Sequence, residues 1–414
     1  MKQATERFLF LPLGGSGEIG MNMNLFGYGT KNQEKWIMVD CGVTFTEPTT
    51  PGIDLIYPDF EFIKQRKENL QAIVLTHAHE DHIGAIAYVW PELRVPLYAT
   101  PFTIRMIQDK FNDRGIAYEG FLHSVPLKSR LRIGDFGIEF VSITHSIPEP
   151  NGLYITTPQH KIYHTGDWKF DAHPVLGDAT DFKRLEELAE MGLDACICDS
   201  TNALDKGVSG SEHDILAPMT DLIKQATGKV VITSFASNVA RMKTLIQACV
   251  DAGRHYFLAG RSMERIYNHG REMGYFKGIP DPVPFEHIRD IPAGKIACIC
   301  TGSQGESRAT LAKIARDAFP FFTVGTGDTV IFSSKAIPGN EKAIGLIYNQ
   351  LSFKNVKILT SKSFDIHVSG HPCEDELIEL YRTLKPFSAI PVHGERRHMV
   401  VRPEGGTRLH ARAS

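Results

Sequence analysis

Short apolar runs rich in β-branched and aromatic residues recur along the chain, and many of them end in a polar or glycine-containing turn. Runs of this kind predict strands. In the first half they span residues 36–39, 72–75, 138–143, 161–163 and 195–198. Helical periodicity lies between some of them, over 102–112 and 183–191. The alternation predicts an α/β layer architecture rather than an all-α or all-β fold.

From about residue 210 to 340 the pattern changes. Predicted strands at 229–232, 296–300 and 329–332 alternate with helical segments such as 239–252. A regular alternation of strands and helices is typical of a compact α/β unit with a parallel sheet. We therefore predict a second α/β unit within this stretch.

The bulk composition narrows the class of protein. The 414 residues are 42% hydrophobic and 22% charged, which suits a globular chain with a sizeable core. A net charge of −3 argues against a uniformly basic nucleic-acid binder, but it allows a local basic groove or bound cations. No apolar run approaches the ~20 residues of a membrane span. Seven scattered cysteines and no signal-peptide pattern predict reduced thiols in the cytoplasm.

The strongest chemical signal is the segment Thr76-His-Ala-His-Glu-Asp-His82, which directly follows a predicted strand. Four possible metal ligands, His77, His79, Asp81 and His82, occur within six residues. A tight strand-to-helix turn can direct the first pair to one point and the second pair to another. Imidazole and carboxylate groups suit Zn²⁺ or Mn²⁺. The alternative, a polar surface loop, is less consistent with this spacing.

One loop cannot complete two metal sites, so further ligands are expected at other strand ends, where α/β sheets place their chemistry. His145 follows the run 139–144, Asp167 follows 161–166, and His393 follows 389–392. A lone histidine at a strand end is usually structural. Three such positions, each in a short turn with Gly or Ser, favour a shared site.

With these residues the chain resembles the metallo-β-lactamase superfamily. The resemblance implies that His77, His79, His145 and Asp167 hold one metal ion, and that Asp81, His82, Asp167 and His393 hold another. Asp167 would bridge the two divalent ions, with Zn²⁺ expected first and Mn²⁺ second. A hydroxide between the ions would act as the nucleophile.

Within that superfamily the chain resembles the ribonuclease J family of the β-CASP branch, from about residue 8 to 398. The motifs that carry this resemblance stand at 14–23, 40–42, 51–55, 164–169, 199–203, 235–238, 260–263, 301–306, 337–341, 367–371 and 391–395. It implies an αββα metallo-β-lactamase sandwich with an inserted α/β β-CASP domain. The implied domains are 1–209 for the first part of the sandwich, 210–345 for the β-CASP domain and 346–400 for the return segment. Residues 401–414 form an unmatched tail.

The same resemblance assigns further roles. Asp199 and His367 join Asp81 as catalytic residues, with His367 beside the phosphate that is cut. Ser234, Ser369 and His371 would form a pocket for a terminal phosphate. Structural alternatives stay open, because Asp199 and Ser234 could each open a turn or cap the following helix.

Two patterns suggest other functions, but their surroundings argue against them. Residues 15–20 match G-x-G-x-x-G, yet the residues that follow alternate like a strand, which excludes a dinucleotide-binding helix. Cys196-Ile-Cys198 and Cys298-Ile-Cys300 each lie within an apolar strand. We interpret these thiols as buried packing residues rather than zinc ligands.

The sequence thus predicts a two-metal hydrolase that cuts RNA, as a 5′ exonuclease, an endonuclease or both. The alternative is a small-molecule esterase, lactonase or β-lactamase of the same superfamily. A third possibility is a non-enzymatic scaffold subunit that binds no metal, and the complete set of candidate ligands argues against it. Ribonuclease J enzymes continue past the motif of His393 into a dimerisation region. The chain therefore looks truncated, and a homodimer stays open.

Overall fold

A computed structural model of the chain describes residues 5–45, 52–337 and 339–400. The chain divides into two compact units. The first contains Met1–Phe170, Gly177–Ser209 and Gly370–Ser414, and the second contains Asp171–Leu176 and Gly210–Ser369. The proposed tail at 401–414 lies outside the described residues. None of the helices in the described part is long and apolar enough to cross a membrane.

The strands, numbered in chain order, are β1 Arg7–Gly14, β2 Met23–Gly29, β3 Lys35–Val39, β4 Thr44–Phe45, β5 Leu55–Ile56, β6 Leu70–Val74, β7 Leu97–Ala99, β8 Leu122–Ser124, β9 Arg130–Ile133, β10 Phe136–Ser142, β11 Asn151–Thr156, β12 Lys161–His164, β13 Ala195–Asp199, β14 Val230–Thr233, β15 His255–Ala259, β16 Ile296–Cys300, β17 Thr329–Phe332, β18 Lys357–Thr360 and β19 Ser388–Val392.

The α-helices are α1 Glu61–Lys64, α2 Glu80–Ile83, α3 Ile86–Leu93, α4 Pro101–Asn112, α5 Phe182–Glu190, α6 Leu216–Gln225, α7 Val239–Asp251, α8 Arg261–Glu272, α9 Thr310–Ala315, α10 Glu341–Phe353, α11 Glu374–Leu384 and α12 Arg396–Met399. Every strand and helix named in the sequence analysis is present within two residues of its expected bounds.

Two mixed six-stranded sheets form the core of the first unit, which also contains the short antiparallel pair β4-β5. Their strand orders are β1-β2-β3-β6-β7-β8 and β19-β13-β12-β11-β10-β9. Side chains alternate along each strand, so one face of each sheet is directed to the other sheet. Phe26 and Val74 of the first sheet pack in one buried cluster with Phe140, Leu153 and Ile197 of the second.

Helices cover the outer faces. On the second sheet, Tyr163 and Cys196 pack with Leu185 of α5 and Leu380 of α11. On the first sheet, α4 contacts β7 and β8. The resulting helix–sheet–sheet–helix order confirms the predicted αββα sandwich.

The second unit is built on a single parallel sheet. Its order is β15-β16-β14-β17-β18, and every neighbouring pair is parallel. Leu311 of α9 and Leu351 of α10 pack against Val231 and Cys298 on one face of this sheet. This unit is the predicted second α/β domain.

The end of the second unit lies further along the chain than the sequence analysis placed it. We expected the return segment to begin at residue 346, whereas the compact unit continues to Ser369. The reason is topological: α10 packs into the core of the second unit, and β18 pairs with β17 as the edge strand of its sheet.

The two misleading motifs have structural explanations. Residues 15–20 lie in the loop between β1 and β2, which pair antiparallel, so no helix follows the glycines. All seven cysteines are buried free thiols. Cys196 and Cys198 face the helices of the first unit, and Cys298 and Cys300 lie in the core of the second. The strand after residues 15–20 and the burial of these thiols are as predicted from the sequence.

A single buried carboxylate, Glu376 of α11, ties together three places where the chain of the first unit stops or resumes. Glu376 is 1% exposed. Its oxygens accept hydrogen bonds from the backbone of Phe170, from the backbone and hydroxyl of Ser209, and from the backbone of Cys373, over 2.7–2.9 Å. Hydrogen bonds to a buried charge are among the stronger ones in proteins.

We expect Glu376→Gln to destabilise the chain by about 2–4 kcal/mol. The NH₂ group of the new amide would replace an accepting oxygen, so that a donor would face a backbone N–H group that is itself a donor. Urea unfolding of the two forms measures the difference. Glu379→Gln, at an exposed position on the same helix, is the matched control and should leave the midpoint unchanged. Equal midpoints for the Glu376 variant and wild type would contradict the assignment.

Candidate metal centre

The predicted ligands gather because of strand direction in the second sheet. β12, β13 and β19 are mutually parallel, and β10 runs in the same direction because β11 is antiparallel to both of its neighbours. The carboxyl ends of these strands therefore share one edge. His145, Asp167 and His393 lie just beyond the strand ends at that edge, and Asp199 is the last residue of β13.

The other ligands come from the loop after β6, in the facing sheet. His79 has extended backbone angles and precedes the short helix α2, whose first turn contains Asp81 and His82. The loop is close-packed, since a Cβ on Gly42 would stand 1.7 Å from the carbonyl oxygen of Asp81. Glycine at position 42 is therefore required for the loop to adopt this path.

The first group of possible ligands consists of His77, His79, His145 and Asp167. The Nδ1 atom of His79 lies 3.0 Å from His77 Nε2 and 3.0 Å from His145 Nε2. Asp167 Oδ2 lies 3.7 Å from His77 Nε2 and 3.9 Å from His145 Nε2. Three imidazole nitrogens and one carboxylate oxygen thus face a common point.

The second group consists of Asp81, His82, Asp167 and His393. Asp167 Oδ2 is 3.1 Å from His82 Nε2 and 3.8 Å from His393 Nε2. Asp81 Oδ2 is 2.9 Å from His393 Nε2 and 3.6 Å from His82 Nε2. Asp167 belongs to both groups, as expected for a bridging carboxylate.

The hydrogen-bond partners of these histidines determine which ring nitrogen carries the proton. Asp40 is fully buried and accepts from the hydroxyl of Thr76 over 3.0 Å and from His82 Nδ1 over 2.7 Å. Because the Thr76 hydroxyl donates to Asp40, it accepts from His77 Nδ1 at 3.0 Å. When neutral, both histidines therefore direct an unprotonated Nε2 toward the centre.

The remaining two Nε2 ligands follow the same rule. His145 Nδ1 donates to the carbonyl of Gly370 over 2.5 Å. The Thr201 hydroxyl donates to Asp199 over 2.7 Å, so it accepts from His393 Nδ1 at 2.6 Å. Gly370 must lack a side chain, since a Cβ there would stand 2.8 Å from the His145 ring.

The first group is chemically suited to a divalent cation. His77 Nε2 and His145 Nε2 have no hydrogen, and His79 Nδ1 can donate to at most one of them. At least one of these 3.0 Å contacts therefore places two lone pairs face to face. A tetrahedral zinc with bonds of about 2.0–2.1 Å spaces its ligand atoms about 3.3 Å apart, close to the distances here.

The pKa values of the histidines are shifted in opposite directions in the two groups. In the first group burial lowers the pKa of His77 and of His145 well below the usual range, and it lowers the pKa of His79 to about 4. In the second group burial acts in the same direction, but nearby carboxylates outweigh it. They raise the pKa of His82, and Asp167, with Asp81 and Asp199, raises the pKa of His393 to about 9.

The predicted phosphate-pocket residues belong to different units. His371 lies in the first unit, where its Nδ1 contacts Asp199 over 2.8 Å and it forms a third group of possible ligands with Asp167, Asp199 and His393. Ser234 and Ser369 lie in the second unit. Ser234 is buried at the end of β14, and Asn238, not Ser234, caps α7.

His367 also lies in the second unit, where its Nδ1 is 3.1 Å from Arg241. Asp199 forms the turn that was its structural alternative, because Oδ1 accepts from the backbone of Thr201, and its Oδ2 contacts His371. Trp168 is 2% exposed and packs in a core cluster, against which Phe170 also packs, so both aromatic residues contribute to the core near the site.

The residues that orient the ligands were not predicted from the sequence. Asp40 was noted only as part of the motif at 40–42. Thr201 was not singled out. The backbone of Asp40 has a φ of 63°, and that of His393 has a φ of 52°. Residues other than glycine in this region often mark functional sites. This backbone angle cannot be read from the sequence, so it could not have identified Asp40 beforehand.

Three family models match the chain. The beta-lactamase superfamily domain matches residues 35–200, the beta-CASP domain of ribonuclease J matches 227–351, and the Zn-dependent metallo-hydrolase RNA specificity domain matches 360–401. Together they cover both units.

Two relatives that align with nearly the whole chain are ribonuclease J proteins. Ribonuclease J of Sinorhizobium meliloti is 46% identical over 97% of this chain and 71% of its own length. Ribonuclease J 1 of Streptococcus pyogenes is 38% identical over 93% of this chain and 68% of its own. A crystal structure of a protein of unknown function from Enterococcus faecalis has a TM-score of 0.66 at 16% identity, with 96% of each chain covered, and shows a similar fold.

We expect metal loading of the two groups to release different numbers of protons at pH 7.5. A raised pKa means that metal-free His82 and His393 hold protons there, which a cation must displace, whereas His77, His79 and His145 are already neutral. The second group should release one to two protons and bind more tightly as pH rises toward 9. Calorimetric titration in buffers of different ionisation enthalpy counts the protons. Proton-free loading of both groups would refute this asymmetry.

We expect Asp40→Asn to weaken metal binding by about 10- to 100-fold, because the amide cannot accept from both Thr76 and His82. Competition with a chelator, followed by metal analysis, measures the loss. Asp194→Asn is the control, since exposed Asp194 also accepts a backbone hydrogen bond in the first unit. Equal metal retention by both variants would show that Asp40 does not orient ligands.

Proposed function

The chain belongs to the ribonuclease J family of metal-dependent RNA-cleaving hydrolases, and from this premise we propose that its His/Asp cluster is the centre that cuts RNA. The observation that carries the proposal is the convergence of two ligand groups on one buried carboxylate, Asp167. Family membership rests on relatives of 46% and 38% identity that extend over most of the chain.

In this proposal the two groups described above each hold one divalent ion, with Asp167 shared between them. Divalent ions supply Lewis acidity there, since they lower the pKa of water and neutralise charge on a phosphodiester. Zn²⁺ is the first expectation because the first group offers three imidazole nitrogens, which are preferred zinc ligands. Mn²⁺ is the second.

The protein residues hold and orient the reacting groups. Asp40 and Thr201 keep the ligand histidines in the tautomer with a free Nε2. Asp199 orients His371, whose pKa is raised by Asp199 and Asp167 despite burial, so this histidine can carry positive charge for an anionic substrate. By its motif, His367 is proposed to contact the phosphate that is cut.

In the proposed reaction the enzyme removes nucleotides from a 5′-monophosphate end of the RNA, cuts the RNA internally, or does both. Ser234, Ser369 and His371 are proposed to recognise the terminal phosphate through hydroxyl groups and an imidazole. The small-molecule alternative is not favoured, because a β-CASP domain and an RNA specificity domain match the chain beyond the lactamase-type part.

We expect the wild-type chain to cleave a 5′-monophosphorylated, end-labelled RNA when Zn²⁺ or Mn²⁺ is present. His77→Ala should lower the rate by more than about 100-fold, beyond the 10- to 100-fold loss that follows removal of an outer hydrogen-bond partner. Gel analysis of the products separates mononucleotide release from internal cuts. His255→Ala is the control, because His255 is exposed at the start of β15.

Two outcomes would count against the proposal. Equal RNA cleavage by wild type and His77→Ala would place the activity outside this centre. Intact RNA together with metal-dependent turnover of a cephalosporin or a chromogenic ester would revive the small-molecule hydrolase.

A further inference from the structure

The second unit contains a buried ion pair with no part in the metal centre. Arg241 of α7 is 1% exposed and Glu212 is 2% exposed. The guanidinium donates to both carboxylate oxygens of Glu212, from Nε over 2.8 Å and from Nη2 over 2.7 Å. This two-bond geometry fixes the plane of the guanidinium.

The other side of the guanidinium holds the segment that contains His367. Nη2 donates to the carbonyl of Val368 over 3.1 Å, and Nη1 contacts the carbonyl and hydroxyl of Ser333 at 2.9 and 3.0 Å. The Ser333 hydroxyl in turn donates to the carbonyl of Ile366 over 2.7 Å. The backbone on both sides of His367 is therefore anchored to one rigid, buried group.

The side chain of His367 is held as well. Arg241 Nη1 lies 3.1 Å from His367 Nδ1. A guanidinium has only donors, so this hydrogen bond requires a lone pair on Nδ1 and leaves the ring proton on Nε2. Protonation of Nδ1 would remove the bond and place a second positive charge against Arg241.

We propose that Arg241 is a positioning residue that holds His367 as the neutral tautomer with its proton on Nε2. His367 then acts as a hydrogen-bond donor to a negatively charged oxygen. It does not act as a proton source, because a neutral imidazole that gives up its proton becomes an anion.

The ligand histidines provide the contrast. His82 and His145 each donate from Nδ1 to an acceptor, so their neutral forms keep a lone pair on Nε2 for a metal. His367 receives a donor at Nδ1 and keeps a hydrogen on Nε2, which suits a phosphate oxygen and excludes metal ligation through that nitrogen. The catalytic part of this inference rests on the proposed ribonuclease function, whereas the tautomer does not.

Nitrogen NMR of the full, metal-loaded chain tests the tautomer directly. The chain has 17 histidines, so the His367 signals are assigned from their loss in His367→Gln. At pH 7.5 we expect Nδ1 in the unprotonated range and Nε2 in the protonated range. In Arg241→Lys the ammonium reaches one acceptor at a time, and both signals should shift toward a mixture of tautomers. Arg241→Gln with Glu212→Gln, which keeps the pair neutral, should have the same effect.

Kinetics on RNA test the consequence. Arg241→Lys should lower kcat about 10-fold or more with KM within about twofold, as expected for a donor that acts in the transition state. In the His367→Gln background the same substitution should change kcat less than about twofold, because the residue it positions is gone. Arg254→Lys is the matched control, because Arg254 is a buried arginine of the same unit whose hydrogen bonds, within the described residues, go to backbone carbonyls.

A protonated Nδ1 on His367 in the wild type would overturn the inference even if neither Arg241 variant folds. So would an unchanged tautomer and kcat in both Arg241 variants, or equal losses of kcat in the presence and absence of His367. If the tautomer is as expected but wild type cuts no RNA, the proposed function fails while the role of Arg241 in setting the tautomer stands.

Discussion

Each histidine that directs Nε2 toward the metal centre is oriented by a hydrogen bond that its other ring nitrogen, Nδ1, donates away from the centre. Asp40 provides the clearest case, because one buried carboxylate orients His82 directly and His77 through the hydroxyl of Thr76. Without such acceptors the rings could carry a proton on either nitrogen. The ability of the centre to hold cations therefore depends on these outer bonds as much as on the ligands themselves.

The same rule produces the opposite result in the second unit. There the partner of Nδ1 is a donor, Arg241, and the proton is left on Nε2 of His367. One residue type thus serves two purposes in one chain, and the neighbour decides which. A carboxylate, hydroxyl or carbonyl prepares an imidazole to bind a metal, whereas a guanidinium prepares it to donate to an anion.

The fold places these neighbours near strand ends and near the places where the chain leaves and re-enters the first unit. Parallel strands β12, β13 and β19 place Asp167, Asp199 and His393 at one edge. Glu376 secures the backbone where the chain leaves the first unit and where it resumes. Asp40 and Thr201, which orient ligands, likewise lie within two residues of a strand end, and groups placed close to regular elements are held more precisely than groups in long loops.

The sequence by itself determined the strands and helices through local periodicity and the candidate ligands through short motifs. The αββα sandwich with its inserted α/β domain was implied by the family resemblance that the motifs carry. It placed the return from the second unit too early, since the pairing of β17 with β18 is not a local property. Only the tertiary structure decided which atoms orient the ligands. His145 and Gly370, for example, are 225 residues apart. A hydrogen bond across that separation depends on how strands pair and sheets pack, and no local pattern records it.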